Sequence, residues 1–401
     1  MSAPRRVLIA GGGIAGWTVA STLRDRGFDG EIVIVEREAA CYDRSPLSKT
    51  VLVDGAPLSS LAFAAPEALA QASIEVHAGR TVVALDAAAR TLRLDDGALL
   101  AGDVIVLATG TAARPAAFPG GTLPGVLSLQ TYADARALHA LKGRRIAVVG
   151  AGLIGAEATA ALRTAGSEVT LIDPSAVPGS RAFGPTMAAH LHAMHGAAGV
   201  DCRRDTVAGV VPTGGALRVD LTGGDAVEVD GVLVATGVVT DPIVARESGL
   251  DVDDGIVVQD SGLTSAPGIY AVGDVARRWK DGVLRPASGH WDAARADGQD
   301  VADAILGLPP AGRGADWFWS DRYGHHVEVL GALAGTAREV VRPGLHPTVF
   351  VVDGDRLVGA VSVDDPLAVR AARRLIDRRT PVVADQLVDP AVPVRSLLPH
   401  A

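Results

Sequence analysis

The sequence predicts an α/β fold: two Rossmann-like dinucleotide-binding domains with a smaller C-terminal α+β domain. Three observations carry that prediction. A strand, glycine turn, helix and second strand ending in an acid occurs twice. A fully apolar strand closing on a glycine turn follows each copy, and the last part of the chain changes to a strand-rich stretch and then a helix. The length agrees, because 401 residues at about 150 per domain allow two to three domains.

The first copy runs from Arg5 to Glu36 (RRVLIAGGGIAGWTVASTLRDRGFDGEIVIVE) and the second from Arg144 to Asp173 (RRIAVVGAGLIGAEATAALRTAGSEVTLID). Gly11 and Gly150 allow the tight turn after the first strand. Gly13 and Gly152 let the backbone approach a pyrophosphate, while Gly16 and Gly155 let helix and strand pack closely. One such motif is weak evidence in a chain with 47 glycines, but two in the same context are strong. The acid follows the third glycine by 20 residues at Glu36 and by 18 at Asp173, where it can accept from a ribose hydroxyl.

Val104–Gly110 (VIVLATG) and Val232–Gly237 (VLVATG) read as the buried closing strands. Short strands are expected around Ile74 to His77, Val82 to Asp86, Thr91 to Leu94 and Ala98 to Leu100, with a hairpin turn at Asp95, Asp96 and Gly97. Thr206 to Val229 repeats that excursion, with turns at Gly214-Gly215 and Gly223-Gly224. The expected domains are therefore residues 1–114 with 241–313, residues 115–240, and residues 314–401.

Composition narrows the function. A formal net charge of −9 argues against a nucleic-acid footprint. Two cysteines, Cys41 and Cys202, make neither a disulfide framework nor a dithiol pair, which fits a reducing compartment. Arg5 and Arg6 before an apolar stretch imitate a signal peptide, but the glycines there have their own mechanism. Other apolar runs stop short of the roughly 20 residues of a bilayer span. A soluble, cytoplasmic protein without membrane or nucleic-acid partners is expected.

Several segments carry a family resemblance. Tyr42–Lys49 (YDRSPLSK) resembles a YxRPPLSK signature with Ser45 for the first Pro, and Ser265–Asp274 (SAPGIYAVGD) resembles a second FAD motif. Leu107–Arg114 (LATGTAAR) resembles an ATGxxxR segment. His290-Trp291 with Ala294 and Gly298 resembles EHWxNAxxQG, and Trp317–Gly324 (WFWSDRYG) resembles FWSDQYG. Together these resemble the oxygenase-coupled, FAD- and NAD(P)-dependent ferredoxin reductases of the putidaredoxin reductase and rhodocoxin reductase type, which are two-dinucleotide-binding-domain flavoproteins. The resemblance spans nearly the whole chain.

That resemblance implies an FAD-dependent NADH:ferredoxin oxidoreductase. Hydride would pass from NADH to FAD, and single electrons to a 2Fe-2S ferredoxin feeding a monooxygenase or dioxygenase. It assigns Gly11, Gly13, Gly16, Glu36, Arg44, Lys49, Thr109, Gly110, Arg114, Asp274 and Trp291 to FAD. Gly150, Gly152, Gly155, Glu157 and Asp173 go to NADH. Lys49 and Glu157 are the catalytic candidates, able to pair with each other; the less favoured alternative for Glu157, on helix register alone, is a capping or surface acid of the helix's first turns. No metal is expected.

Asp173 would repel a 2′-phosphate, and Pro174, Ser175 and Ala176 supply no cation, so NADH is favoured; Arg181 is the neighbour that would alter this. Trp317 and Trp319, alternating in a strand, read as core. Arg277, Arg278 and Lys280 are the expected docking edge for an acidic ferredoxin, with the arginines of the helix near Pro366 to Arg379 as either a second face or a solvated one. Gly289 and Asp297 depart from the family pattern close to the expected flavin contacts. Two rival functions remain: an NADH oxidase or peroxidase using Cys41, and an apoptosis-inducing-factor-like flavoprotein that senses NADH.

Overall fold

The computed structural model describes residues 4–280, 282–333 and 337–398. The chain divides into two compact units. One takes residues up to Pro46, Ala56–Ala112 and Val238–Arg313. The other takes Leu47–Gly55, Ala113–Gly237 and the chain from Gly314 on. The boundary falls inside the YDRSPLSK segment.

In the first unit, strands Ile269–Ala271, Val104–Leu107, Arg6–Ala10, Glu31–Glu36 and Ile74–Ala78 lie in that order in a parallel sheet. Val7 to Ala10 and Val104 to Leu107 are buried without interruption. Burial on both faces explains why these strands read as continuous apolar runs rather than alternating ones. Helix Ile14–Asp25 covers one face together with helix Trp291–Ile305, and their contact is tight because Gly298 meets the Ala15 carbonyl. The excursion Val82–Asp86, Thr91–Leu94 and Leu99–Ala101 is an antiparallel three-stranded sheet.

The second unit repeats the plan. Strands Asp201–Arg203, Glu168–Ile172, Arg145–Val149, Gly231–Val234 and Val126–Leu127 form its parallel sheet, and Val207–Thr213, Ala216–Leu221 and Ala226–Val229 its antiparallel one. Along Ala216–Leu221 burial alternates, as expected for a sheet with one packed face.

The same unit contains a five-stranded antiparallel sheet, Trp317–Arg322, His325–Gly331, Arg356–Val363, Thr348–Asp353 and Arg338–Arg342. Period-two alternation sends Phe350 and Val352 toward helix Pro366–Asp377. It sends Val349 and Val361 toward Phe183, Met187 and Leu191 of the segment Ser180–Ala197. Asp365 caps helix Pro366–Asp377 by accepting from Ala368 N at 3.0 Å, and Pro366 takes its first position. Arg370, Arg374, Arg378 and Arg379 lie exposed beside this helix's buried face. Among the described residues no helix is long and apolar enough to cross a membrane.

A Cβ at position 298 would lie 2.7 Å from the Ala15 carbonyl oxygen and 2.8 Å from Thr18 Cβ. Gly298→Ala is therefore expected to force the two helices apart and to cost about 1–3 kcal/mol, measured by urea unfolding. An unchanged midpoint would mean that the helices slide without penalty.

Candidate active site

Both glycine turns are built the same way. Gly11 has φ +106° and Gly150 +99°, conformations that L side chains rarely adopt. A Cβ at Gly16 would lie 2.0 Å from the Gly11 carbonyl oxygen, and one at Gly155 would lie 2.0 Å from that of Gly150. These four glycines are thus required by backbone packing alone. Gly13 and Gly152 differ, because a Cβ there meets nothing within 4 Å. Each sits at the N-cap of a 12-residue helix, facing open space where the helix's first N–H groups and positive end favour an anion.

The terminal acids are also equivalent. Gly12 N–H donates to Glu36 Oε2 at 2.6 Å and Glu38 N–H to Oε1 at 2.9 Å. Ala151 N–H donates to Asp173 Oδ2 and Ser175 N–H to Oδ1, both at 2.8 Å. Each carboxylate therefore holds its own loop and keeps further lone pairs for a ligand hydroxyl.

In the first unit, Arg44 is half-buried and donates to Glu38 at 3.2 Å, while its Nε is buried without a hydrogen-bond partner. Asp274 lies in the short turn Gly273–Val275. Burial and then the neighbouring Asp297 push its carboxyl up to about 6, against a smaller opposing pull from Arg44. Thr109 Oγ1 contacts the Asp241 carbonyl at 3.5 Å, and Gly110 turns at φ +68° with open space at its Cβ position. Trp291 opens its helix, partly buried.

Cys41 is buried, with its Sγ against Gly12, and burial followed by Glu36 pushes its thiol up to about 12. It is therefore a thiol at neutral pH, not an activated nucleophile. Arg114 belongs to the second unit, where its backbone N–H donates to the Gly237 carbonyl at 2.9 Å.

The second unit also brings Lys49 and Glu157 together. Lys49 Nζ lies 2.9 Å from Glu157 Oε2, which accepts in addition from Ser48 Oγ at 2.6 Å; Asp321 N–H reaches Oε1 at 3.3 Å. Glu157 is buried within helix Leu153–Thr164 rather than a surface first-turn acid. Arg322 is buried over the Phe183 ring, and burial lowers its pKa to about 10 while Glu157 pulls it up. The carboxylate thus faces two cations and two neutral donors, which offset its desolvation.

Trp317 and Trp319 stack with centroids 5.1 Å apart, but both are only half-buried. The expectation of a core residue holds for Trp317, which packs against the cluster of Phe350, Val352 and helix Pro366–Asp377. Both tryptophans lie on one face of an outer strand, and Lys49 Nζ stands 6.0 Å over Trp319.

Residues 5–298 match the pyridine nucleotide-disulphide oxidoreductase family, and residues 317–398 match the reductase C-terminal domain. The chain belongs to the pyridine nucleotide-disulphide oxidoreductase family. It is similar over 401 aligned residues to the ferredoxin–NAD(+) reductase subunit of the benzene 1,2-dioxygenase system of Pseudomonas putida. Identity is 33%, covering 98% of this chain and 97% of that one. Among solved structures, a ferredoxin reductase from Rhodopseudomonas palustris superposes with TM-score 0.92 at 29% identity, covering 98% of this chain and 99% of that one. The covalent putidaredoxin reductase–putidaredoxin complex gives 0.91 at 31% identity, covering 99% and 98%.

For an oxidoreductase of this family, the pairing of buried Glu157 with Lys49 offers a fixed carboxylate and a fixed cation rather than an acid/base dyad. Four neighbours escaped the sequence reading. Ser48 and Asp321 lie inside recognised segments, but no spacing rule says that they donate to Glu157. Arg322 was hidden the same way. Arg204 Nε lies 3.4 Å from the Pro174 carbonyl, next to Asp173, because strand Asp201–Arg203 pairs with Glu168–Ile172. The βαβ order alone signals that a residue following the third strand arrives there.

The expected docking arginines are tied down. Arg277 Nη1 donates to the Asp253 carbonyl at 3.0 Å, and Arg278 pairs with Asp297 at 3.0 Å and contacts the Asp260 carbonyl. Lys280 is exposed, next to Trp279 at 48% exposure.

Replacing Lys49 by Met leaves Glu157 short of its closest cation, and is expected to cost about 1–3 kcal/mol in urea unfolding. In a Glu157→Gln background the same change should cost much less; additive losses would show that the pair is not coupled. Asp274 gives a pH signature. A carboxyl whose folded value is raised stabilises the fold fully below its unfolded value and loses that contribution as pH rises through about 6. In nucleotide-free protein, Asp274→Asn should therefore match the parent's melting temperature near pH 3 and exceed it above about pH 6, as read by calorimetry across that range.

Proposed function

We propose that this chain is the FAD-dependent NADH:ferredoxin reductase of an oxygenase system, acting in the cytoplasm. The observation that carries the reading is the duplication of one nucleotide cradle within a single chain, since one pyridine nucleotide needs only one. The first cradle suits FAD: Gly11 and Gly16 shape the turn and Gly13 leaves room for the pyrophosphate. Glu36 accepts from the adenosine ribose, and the orphaned Arg44 Nε is a donor awaiting a partner. Thr109, Gly110, Asp274 and Trp291 complete its contacts in this assignment, Asp274 toward the ribityl chain and Trp291 toward the ring. The second cradle suits NADH, with Gly150, Gly152, Gly155 and Asp173 in the equivalent roles. The division into residues 1–114 with 241–313 for FAD, 115–240 for NADH and 314–401 as a C-terminal domain belongs to the same proposal.

When bound, FAD accepts a hydride from NADH and gives up electrons one at a time. The residues of the chain do the rest. Glu157 orients the carboxamide of the nicotinamide, held in place by Ser48 and the Asp321 N–H. Lys49 supplies a fixed positive charge for the negative charge that hydride arrival creates. Asp173 excludes a 2′-phosphate, with Arg204 a nearby cation working against that preference.

The partner in this reading is a ferredoxin, supported by the relatives' names and the putidaredoxin reductase–putidaredoxin complex, and we assign it a 2Fe-2S cluster. With Arg277 and Arg278 internally paired, the free part of the docking edge is Trp279 and Lys280 of strand Ala276–Lys280, with Arg285 on the paired strand. Among the rivals, the oxidase or peroxidase needs a reactive Cys41, and a buried thiol raised to about 12 disfavours it.

Anaerobic mixing of purified protein with NADH, followed by a panel of acceptors, tests the reading. Bound FAD should bleach, and a 2Fe-2S ferredoxin should be reduced faster than oxygen. Absence of FAD or of bleaching would overturn the proposal. Preferential transfer to oxygen would favour an oxidase, and slow transfer to every acceptor with a change of oligomeric state would favour a sensing role.

A further inference from the structure

Four segments of the second unit converge on a cluster that the electron-transfer chemistry does not use. His190 lies on helix Pro185–Ala197, His325 opens strand His325–Gly331, and His346 sits in the connection before strand Thr348–Asp353. Asp364 follows strand Arg356–Val363 with φ +55°, a conformation that a short polar side chain tolerates better than most. One donor atom each from His325, His346 and Asp364 lies within 4.8 Å of the other two. The His325 and His346 rings are 4.5 Å apart at their centroids, and His190 Nε2 stands 3.0 Å from His346 Nδ1.

The carboxylate is already oriented. Asp364 Oδ2 lies 2.6 Å from His325 Nδ1, while Oδ1 accepts from His326 N–H at 2.8 Å. Asp364 N–H in turn donates to the His326 carbonyl at 2.9 Å, so its position does not depend on any ligand. His325 and Asp364 keep 34% and 43% of their side-chain surface accessible, which leaves an entry path.

We propose that His325, His346 and Asp364 form a divalent-metal site that takes Zn2+, with His190 fixing the ring of His346 through its other nitrogen. Two imidazoles and one carboxylate are a donor set for zinc rather than for calcium or magnesium, which want six or more oxygens. Around a tetrahedral zinc the donors stand roughly 3.3 Å apart, so the cluster closes by side-chain rotation on partly exposed residues. A histidine whose second nitrogen is held by another polar group is the usual support for a metal ligand. The fourth position is left to water. The metal would tie the connection that carries His346 to the ends of two central strands.

The test is titration of tag-free, flavin-loaded, chelator-treated protein with Zn2+ by calorimetry, with melting temperature read in parallel. One equivalent should bind and raise the melting temperature. His346→Gln and Asp364→Asn should each weaken binding by about tenfold or more, and His77→Gln, in an exposed pair with Glu75, should leave it unchanged. His325→Gln replaces either variant that fails to retain flavin. No saturable binding, binding undiminished in the cluster variants, or an equal loss in His77→Gln would overturn the proposal.

Discussion

Each nucleotide cradle depends on a helix that starts against the end of its strand at a distance that admits no side chain. The 2.0 Å separation from a built Cβ to the preceding turn's carbonyl, at Gly16 and again at Gly155, sets that distance. It brings the helix N-terminus over the strand end and leaves open space at Gly13 and Gly152. A methyl at Gly16 or Gly155 would break the packing of the fold, whereas one at Gly13 or Gly152 would only fill the cradle. Three glycines in one motif thus do two different jobs, and two of the three serve the fold whether or not a nucleotide binds.

The second constraint is electrostatic. Burying Glu157 costs desolvation, and the second unit offsets it with Lys49, Ser48, the Asp321 N–H and the nearby Arg322. Such an arrangement leaves little freedom of position to the carboxylate and the ammonium. That rigidity suits the hydride-transfer role proposed for the pair, in which catalysis rests on orientation and preset charge rather than on proton movement. The same logic governs the surface. A formal charge of −9 would repel an acidic partner, and two of the three expected docking cations are consumed by Asp253, Asp260 and Asp297. Asp297 is one of the departures from the family pattern, and its cost to the site is visible in two places: it holds Arg278 and helps raise Asp274.

Most of the fold was legible because its signals are local. Apolar runs bounded by glycine turns marked both parallel sheets, and Asp95-Asp96-Gly97 and the paired glycines near Gly214 and Gly223 marked the antiparallel hairpins. Of the candidate site, the glycines and terminal acids were legible from spacing, and Lys49 and Glu157 from resemblance. Trp317 packs against the core as alternation predicts, yet it and Trp319 stay only half-buried, because alternation reports which face a side chain takes, not how well that face is covered.

The sequence by itself determined the duplicated βαβ plan and its two glycine turns, since both follow from periodicity and short-range spacing. Only the tertiary structure decided what surrounds them. Ser48 beside Glu157, Arg204 beside Asp173, Cys41 sealed under Gly12 and the meeting of His325, His346 and Asp364 all join positions far apart in the chain. Such neighbours are set by sheet order and by how buried charges find partners. Both are properties of the packed chain, and no local run of residues encodes them.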